Sequence, residues 1–337
     1  LKQRYYSLYL YFLYIYKFKL YFMNINQLKY ILTVSKHRSF SKASIELGVT
    51  QPALSLQISK LEQELGVTIF NRTKKPLAIT KEGDLLLKKS VHILKLFDGL
   101  YDLALELEEE ISGKLNIGII PTLAPYITPV FLEDLNHLYP KLQLIISELI
   151  TEEIIDKIKS GELDTGLIAT PIQAVGVEFN ALFYEKFFLF VSNKSSFFKS
   201  ESIKINELDL DDLWYLNEGN CFQNQVNVLC KTSSKVLEKQ QIKYFSNSIE
   251  SLRYIVEQRG GMTFIPELAT LTIPVDKEDM IKPLEGLQPV REISLVTSKF
   301  VAKQKLIDAF TDTLLHNIPK RMKTIQPNMI LDTQIIT

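Results

Sequence analysis

The stretch from Asn217 to Cys230, NEGNCFQNQVNVLC, holds the only two cysteines of the chain, Cys221 and Cys230. A thiolate can attack an oxidant, and a second thiol can seal the product as a disulfide. Asn220 can cap a helix that begins at Cys221, and no Gly or Pro interrupts the run to Gln240. Phe222, Val226 and Leu229 give that helix a modest apolar stripe. In a continuous helix the two thiols stand about 13.5 Å apart along the axis, at a rise of ~1.5 Å per residue. A disulfide needs Cα atoms within roughly 7 Å. Helix and disulfide therefore exclude each other, and oxidation would have to unwind or refold the segment. A place at the helix N-terminus predicts a lowered thiol pKa for Cys221. That makes Cys221 the reactive thiol and Cys230 the resolving one. On the residues alone a second reading stands beside this one: two unrelated core cysteines that happen to lie close.

Other chemistries find little support. There is no Walker loop, dinucleotide fingerprint, His-Glu-x-x-His pair or nucleophile elbow. The four histidines, at 37, 92, 137 and 316, are scattered. Two cysteines nine apart are a weak zinc signal, because zinc pairs commonly lie two to four apart. No cofactor, metal or catalytic residue is expected. Two cysteines do not make the disulfide scaffold of a secreted domain.

The elements that must position these thiols belong to a chain of 337 residues, long enough for two or three domains. Its net charge is zero but unevenly spread. Met23 to Ser90 carries 11 Lys/Arg against 5 Asp/Glu, whereas 91–337 carries 24 against 34. A basic head on an acidic body suits a nucleic-acid binder. Residues 1–22 are packed with Tyr, Phe and Leu, but the uncharged run from Tyr5 to Tyr16 is shorter than the ~20 residues of a membrane helix. No small-residue cleavage site follows. The expectation is that translation starts at Met23 and that 1–22 is an upstream in-frame reading.

Apolar residues fall at helical spacing from Asn26. A second short helix in SFSKASIELG has Ser39 or Ser41 as cap and Gly48 as stop. In VTQPALSLQISKLEQELG, Thr50 is the N-cap, Pro52 sits in the first turn, and Leu54, Ile58, Leu61 and Leu65 form a buried stripe. This is a helix-turn-helix whose second helix presents polar side chains suited to base edges and phosphates. IFNR and LAIT read as two short strands joined by a turn. They make a wing carrying Arg72, Lys74 and Lys75 for backbone or minor-groove contact. The expected DNA-facing set is Thr50, Gln51, Pro52, Ser55, Gln57, Arg72 and Lys74.

After Gly83, Leu86, Ser90, Ile93, Phe97, Leu100, Ala104, Leu107 and Ile111 recur by fours and threes, the seam of a coiled-coil linker. Beyond Gly113, strand and helix alternate in βαβ rhythm, which predicts a mostly parallel sheet with helices on both faces. A second such unit begins near Leu182 and returns in GGMTFIPE. The strand REISLVTS and the helix KQKLIDAFTDTLLHNI are expected to rejoin the first lobe.

The run FSKASIELGVTQPALSLQISKLEQELGVTIFNRTKKPLAITKEG resembles the winged helix-turn-helix of LysR-type transcriptional regulators almost throughout. The segments GIIPTLAPYITP, SGELD, LNEGNCFQNQVNVLC and SIESLRYIVEQRGGMTFIPELA resemble the hydrogen-peroxide-sensing activators within that family. The resemblance runs from about Met23 to Ile318 and implies a redox pair, Cys221 reacting with peroxide and Cys230 closing the disulfide. It implies a peroxide pocket with Thr122 and Thr151. Three positions depart from the pattern. Asn220 stands where His is frequent, Gln223-Asn224 replace an Arg-Asp pair, and Ser147 replaces a pocket His. Amide and hydroxyl groups can still hydrogen-bond a thiolate and a bound peroxide, so an altered sensitivity is expected.

The resulting expectation is an α/β architecture. It comprises a winged helix-turn-helix at 23–82, a linker helix at 83–112 and a two-lobed, periplasmic-binding-protein-like effector domain at 113–318, then a tail at 319–337. Lobe I spans about 113–182 and 290–318, and lobe II about 183–289. The resemblance implies a cytoplasmic homodimer or homotetramer that binds double-stranded DNA, with RNA polymerase as a partner and no membrane. Two rivals remain: a LysR-type regulator answering a small effector between the lobes, and a thiol peroxidase-like enzyme.

Overall fold

Asn24 opens the first helix, α1 (Ile25–His37), through a capping box in which it and Gln27 satisfy each other's backbone amides. Leu28, Ile31 and Val34 fall on one face of α1 and are buried. Ser39 caps α2 (Phe40–Leu47), and Gly48 ends it in the left-handed region. Thr50 caps α3 (Gln51–Leu65), with Pro52 in its first turn. Leu54, Ile58 and Leu61 of α3 close the core against Ala43, Ile69 and Phe70. Leu65 is only partly buried at its edge.

The computed structural model describes residues 23–106, 110–217, 220–231, 244, 246–286, 288–299, 301, 303–324 and 330–335. The expected leader, 1–22, lies outside them, as do Leu107, Glu218 and Gly219. The chain forms two units, Leu1–Asp98 and Gly99–Thr337.

The wing is shorter than its sequence suggests. Only β1 (Phe70–Asn71) and β2 (Ala78–Ile79) pair, antiparallel. Glu62 of α3 ties it down, its Oε1 accepting from the amides of Ile69 at 2.7 Å and Phe70 at 3.2 Å. The long helix α4 (Lys81–Glu106) follows directly. Gly83 is required at its start, since a Cβ there would meet the carbonyl oxygen of Ile69 at 2.3 Å.

The expected linker seam is corrected in its first half. Ser90 is buried, and Leu86 and Ile93 pack against the core of the head, together with Leu87 and Leu94. Among the described side chains of α4, the large apolar ones left exposed are Leu85, Leu96 and Leu100. The cause is local: β2 feeds straight into α4, so the helix's first turns cover the winged core before any seam can begin.

In the second unit, β3 (Gly113–Ile119) pairs in parallel with both β4 (Leu142–Glu148) and β5 (Thr165–Thr170). The crossovers are α5 (Ala124–Leu138) and α6 (Thr151–Ser160). Next come the long β6 (Val177–Val191), α7 (Cys221–Cys230), α8 (Ile249–Arg259), β7 (Met262–Pro266), β8 (Ile281–Pro283), β9 (Val290–Ser298) and α9 (Gln304–Asn317). The sheet is mixed rather than mostly parallel. β9 lies antiparallel to β5 and β6, and β6 lies antiparallel to β7 and β8. The reason is connectivity. β6 leaves the first lobe and β9 returns to it, so the two long strands run in opposite directions through both. As expected, α9 rejoins the first lobe, where Phe310 meets Phe131 of α5 edge to face at 5.0 Å.

Candidate functional site

The residues from Cys221 to Cys230 form one continuous helix, α7, with both thiols free. Asn220 caps it as its type predicts, its Oδ1 accepting from the Phe222 amide at 3.0 Å. Phe222 stacks on Phe187 of β6 at 5.2 Å, and Val226 is buried one turn on. These contacts seat the N-terminal half of α7 in the core and leave its C-terminal half nearer the surface. Cys221 is accordingly buried and Cys230 half-buried.

Gln223 and Asn224, expected from the sequence to stand in for an Arg-Asp pair, make structural hydrogen bonds. Gln223 Oε1 accepts from the Leu216 amide at 2.8 Å, and its Nε2 donates to Asn227 Oδ1 at 2.9 Å. Asn224 Nδ2 donates to the Thr333 carbonyl at 3.0 Å. Ser147 is half-buried on β4, beside Gly118 in the register.

Thr151 and Thr122 reach the thiol by different routes. Thr151 opens α6, is buried, and its hydroxyl favours the Cys221 thiolate. Thr122 follows β3 and is fully buried. Its hydroxyl and carbonyl accept from Arg291 Nη1 at 3.0 Å and Nη2 at 3.1 Å. Arg291 in turn pairs with Glu185 of β6 at 2.6 Å, both side chains fully buried, and lies over the Phe222 ring at 5.1 Å. Glu185 also accepts from the Leu268 amide at 3.0 Å. Burial pushes the Glu185 carboxyl up, while Arg291 and that amide pull it back.

The expected lowering of the Cys221 pKa is corrected. Burial pushes this thiol up, outweighing the Arg291 charge, the Thr151 hydrogen bond and the Phe222 amide, which all favour the thiolate. At this helix N-terminus desolvation opposes the dipole, and desolvation is not displayed by a sequence. Burial pushes Cys230 up to about 12. Among the described residues, groups that favour the charged form stand beside Cys221, whereas burial alone acts on Cys230.

Sequence reasoning passed over Arg291 and Glu185. Arg291 stands at the start of an amphipathic-looking strand, where a charge reads as solvent-facing. Glu178 and Lys186 on β6 and Glu292 on β9 carry charge as well, so nothing in the sequence marks Glu185 and Arg291 as a buried pair.

In the head, Thr50, Gln51, Pro52 and Lys74 are exposed, and Ser55 and Gln57 are half-exposed. Gln57 accepts from Gln27 Nε2 at 3.3 Å, which ties α3 to α1. Arg72 folds back onto α3. It donates to Ser55 Oγ at 3.0 Å, Ser59 Oγ at 2.9 Å and Glu62 Oε2 at 2.9 Å, and lies over the Phe40 ring. Leu56, 56% exposed on α3, was not singled out in the sequence, yet its exposed apolar surface suits a thymine methyl.

Two family descriptions match the chain. Residues 25–84 match the model described as "Bacterial regulatory helix-turn-helix protein, lysR family", and 108–319 match "LysR substrate binding domain". The hydrogen peroxide-inducible genes activator of Haemophilus influenzae is 32% identical over 274 residues, covering 81% of this chain and 90% of that protein. The DNA-binding transcriptional dual regulator OxyR of Escherichia coli K12 is 31% identical over 276 residues, covering 81% and 89%. A full-length OxyR variant from Pseudomonas aeruginosa superposes with a TM-score of 0.71 at 27% identity, over 88% of this chain and 99% of that one.

Proposed function

The chain belongs to the LysR family of bacterial transcriptional regulators, and on that premise we propose that it senses hydrogen peroxide through a reversible disulfide between Cys221 and Cys230. It is a DNA-binding regulator, not an enzyme. The observation that carries the redox reading is the placement of Cys221. It is buried at the start of α7, where the Thr151 hydroxyl and the Arg291 charge both favour its thiolate. The relatives named as hydrogen peroxide-inducible genes activators support the choice of signal.

The Cys221 thiolate attacks one peroxide oxygen. The S–O bond forms, the O–O bond breaks, and the departing hydroxide takes a proton to become water. Thr151, and Thr122 through Arg291, position the polar edge of the pocket. The Cys230 sulfur then attacks the Cys221 sulfenic acid, forming S–S, breaking S–O and releasing a second water. Two thiols are oxidised and one peroxide is reduced to two waters. Closure requires α7 to lose its helix, since its two ends stand about 13.5 Å apart along the axis. That rearrangement is the signal that alters DNA binding.

On the DNA side the reading head is Thr50, Gln51, Pro52, Ser55, Gln57, Arg72 and Lys74, used by a cytoplasmic homodimer or homotetramer that meets RNA polymerase at the promoter. Among the described residues no helix is long and apolar enough to cross a membrane.

Thiol titration before and after stoichiometric peroxide tests the proposal. The expected result is loss of two thiols and one new intramolecular disulfide. Unchanged thiols would favour a small effector bound between the lobes, and continued peroxide consumption would favour a peroxidase.

A further inference from the structure

The segment from Ile330 to Ile335 lies in the sequence's expected tail, yet it is built into the second unit beside α7. Ile330 bridges to Val290, and the Leu331 amide donates to the Val290 carbonyl at 2.9 Å. Thr333 is fully buried, and its hydroxyl donates to the Pro171 carbonyl at 2.7 Å. Gln334 takes a left-handed turn, φ 57°, after which the Ile335 carbonyl accepts from the Gln173 amide at 3.2 Å. The anchors are thus the end of β5 and the start of β9, next to Arg291. From those anchors the segment offers two carbonyls to α7. Leu331 O accepts from Gln225 Nε2 at 2.9 Å, and Thr333 O accepts from Asn224 Nδ2 at 3.0 Å.

We propose that Ile330–Ile335 is a strap that holds α7 in its helical, reduced form and must let go before the disulfide closes. The proposal rests on the redox reading above. Asn224 and Gln225 sit in the middle of the stretch that has to unwind. Their side chains reach both carbonyls only while the helix fixes their separation and direction. A helix that melts loses both contacts, and a strap that stays put opposes melting. Coupling of this kind is reciprocal: oxidation loosens the strap to the degree that the strap resists oxidation. The anchoring to β5 and β9 supplies the rigid frame against which α7 is held. Two amide–carbonyl hydrogen bonds of this sort amount together to a factor on the order of tenfold in the helix–unwound equilibrium.

The test compares the parent, a chain ended after residue 329, the double variant Asn224→Ala/Gln225→Ala, and their combination. Hydrogen exchange of the α7 amides is measured in the reduced state, and the dithiol–disulfide balance is measured in glutathione buffers. The strap predicts α7 exchange faster on the order of tenfold in the shortened chain and the double variant, with α5 and α8 unchanged. The redox midpoint should move toward the disulfide to a similar extent, and combining the changes should add little. Parent-like exchange in both variants would overturn the strap. So would an effect of shortening that persists in full on the double-variant background. Should the shortened chain fail to fold, the double variant alone decides. A parent that never forms the Cys221–Cys230 disulfide would sink the redox reading, while the exchange measurement would still decide whether the segment holds α7.

Discussion

Arg291 grips Thr122 twice, Nη1 donating to the hydroxyl at 3.0 Å and Nη2 to the carbonyl at 3.1 Å. The two residues lie 169 positions apart, so the contact exists only because β9 returns to the first lobe. One guanidinium thereby fixes Thr122, balances the buried Glu185 and places positive charge near Cys221. Its planar fork suits these several demands in a way that a lysine ammonium would not.

Arg291→Ala should therefore cost about 3–5 kcal/mol of stability, because it strands Glu185 as an unpaired buried carboxylate. The double change Arg291→Met/Glu185→Leu should recover most of that loss, since apolar replacements of both partners are often neutral. Peroxide reaction at Cys221 should remain slow in the double variant, which has no cation to favour the thiolate. Urea unfolding and stopped-flow thiol oxidation separate the two effects. A double variant that reacts at the parent rate would remove Arg291 from the mechanism.

Both thiols are pushed up by burial, which fixes the sign of the pH dependence. A group whose folded pKa exceeds its unfolded value holds its proton more tightly in the folded chain. Its stabilising contribution is full below the unfolded thiol value of about 8.5 and is lost as pH rises above it. For Cys230 the loss extends to about 12. Cys230→Ala should flatten the fall in stability above neutral pH. The rate of Cys221 oxidation should rise with pH across the same range, and Thr151→Val should shift that rise to higher pH. A rate independent of pH between neutrality and the ordinary thiol range would contradict the assignment of Cys221 as a buried, neutral thiol.

Much of this was legible because local rules acted locally. The caps Ser39, Thr50 and Asn220 and the stop Gly48 each sit where side-chain chemistry demands. The exclusion of disulfide by helix followed from spacing alone, and α7 is helical from Cys221 to Cys230. What stayed hidden was tertiary. Desolvation reversed the expected shift at Cys221. The buried partner of Arg291 lies on another strand. The seam at Leu86 and Ile93 was drawn off to cover the winged core, because periodicity gives the stripe of a helix but not its partner. The 330–335 segment read as a tail, since two backbone carbonyls leave no trace in a sequence.

In the head, Arg72 joins Ser55, Ser59 and Glu62 across the face expected to meet DNA. Its side chain is 38% exposed and already paired. Arg72→Ala should weaken binding to specific and random duplexes alike and lower the unfolding stability of the head. The salt slope should change by less than about one ion, the change expected for a lost phosphate contact. Gln51→Ala should instead relax sequence preference by roughly 1–3 kcal/mol. Salt-titrated binding with both duplexes distinguishes them. A slope change of about one with parent-like stability would make Arg72 a phosphate contact after all.

The two cysteines should behave unequally when each is replaced. Cys221→Ser should abolish the peroxide response, because burial opposes the Cys230 thiolate and no group among the described residues counterbalances it. Cys230→Ser should still react but stop at a sulfenic acid on Cys221, which dimedone traps and mass spectrometry locates. In the parent, disulfide closure must dismantle α7, so cleavage near Asn224–Asn227 by a limiting protease should accelerate on oxidation. The Cys230→Ser chain should show no such acceleration, since a sulfenic acid leaves the helix free to persist. That contrast isolates the geometric step from the chemical one. Trapped adduct on Cys230 in the parent would reverse the assigned roles, and identical cleavage of the parent with and without peroxide would leave α7 without a switch.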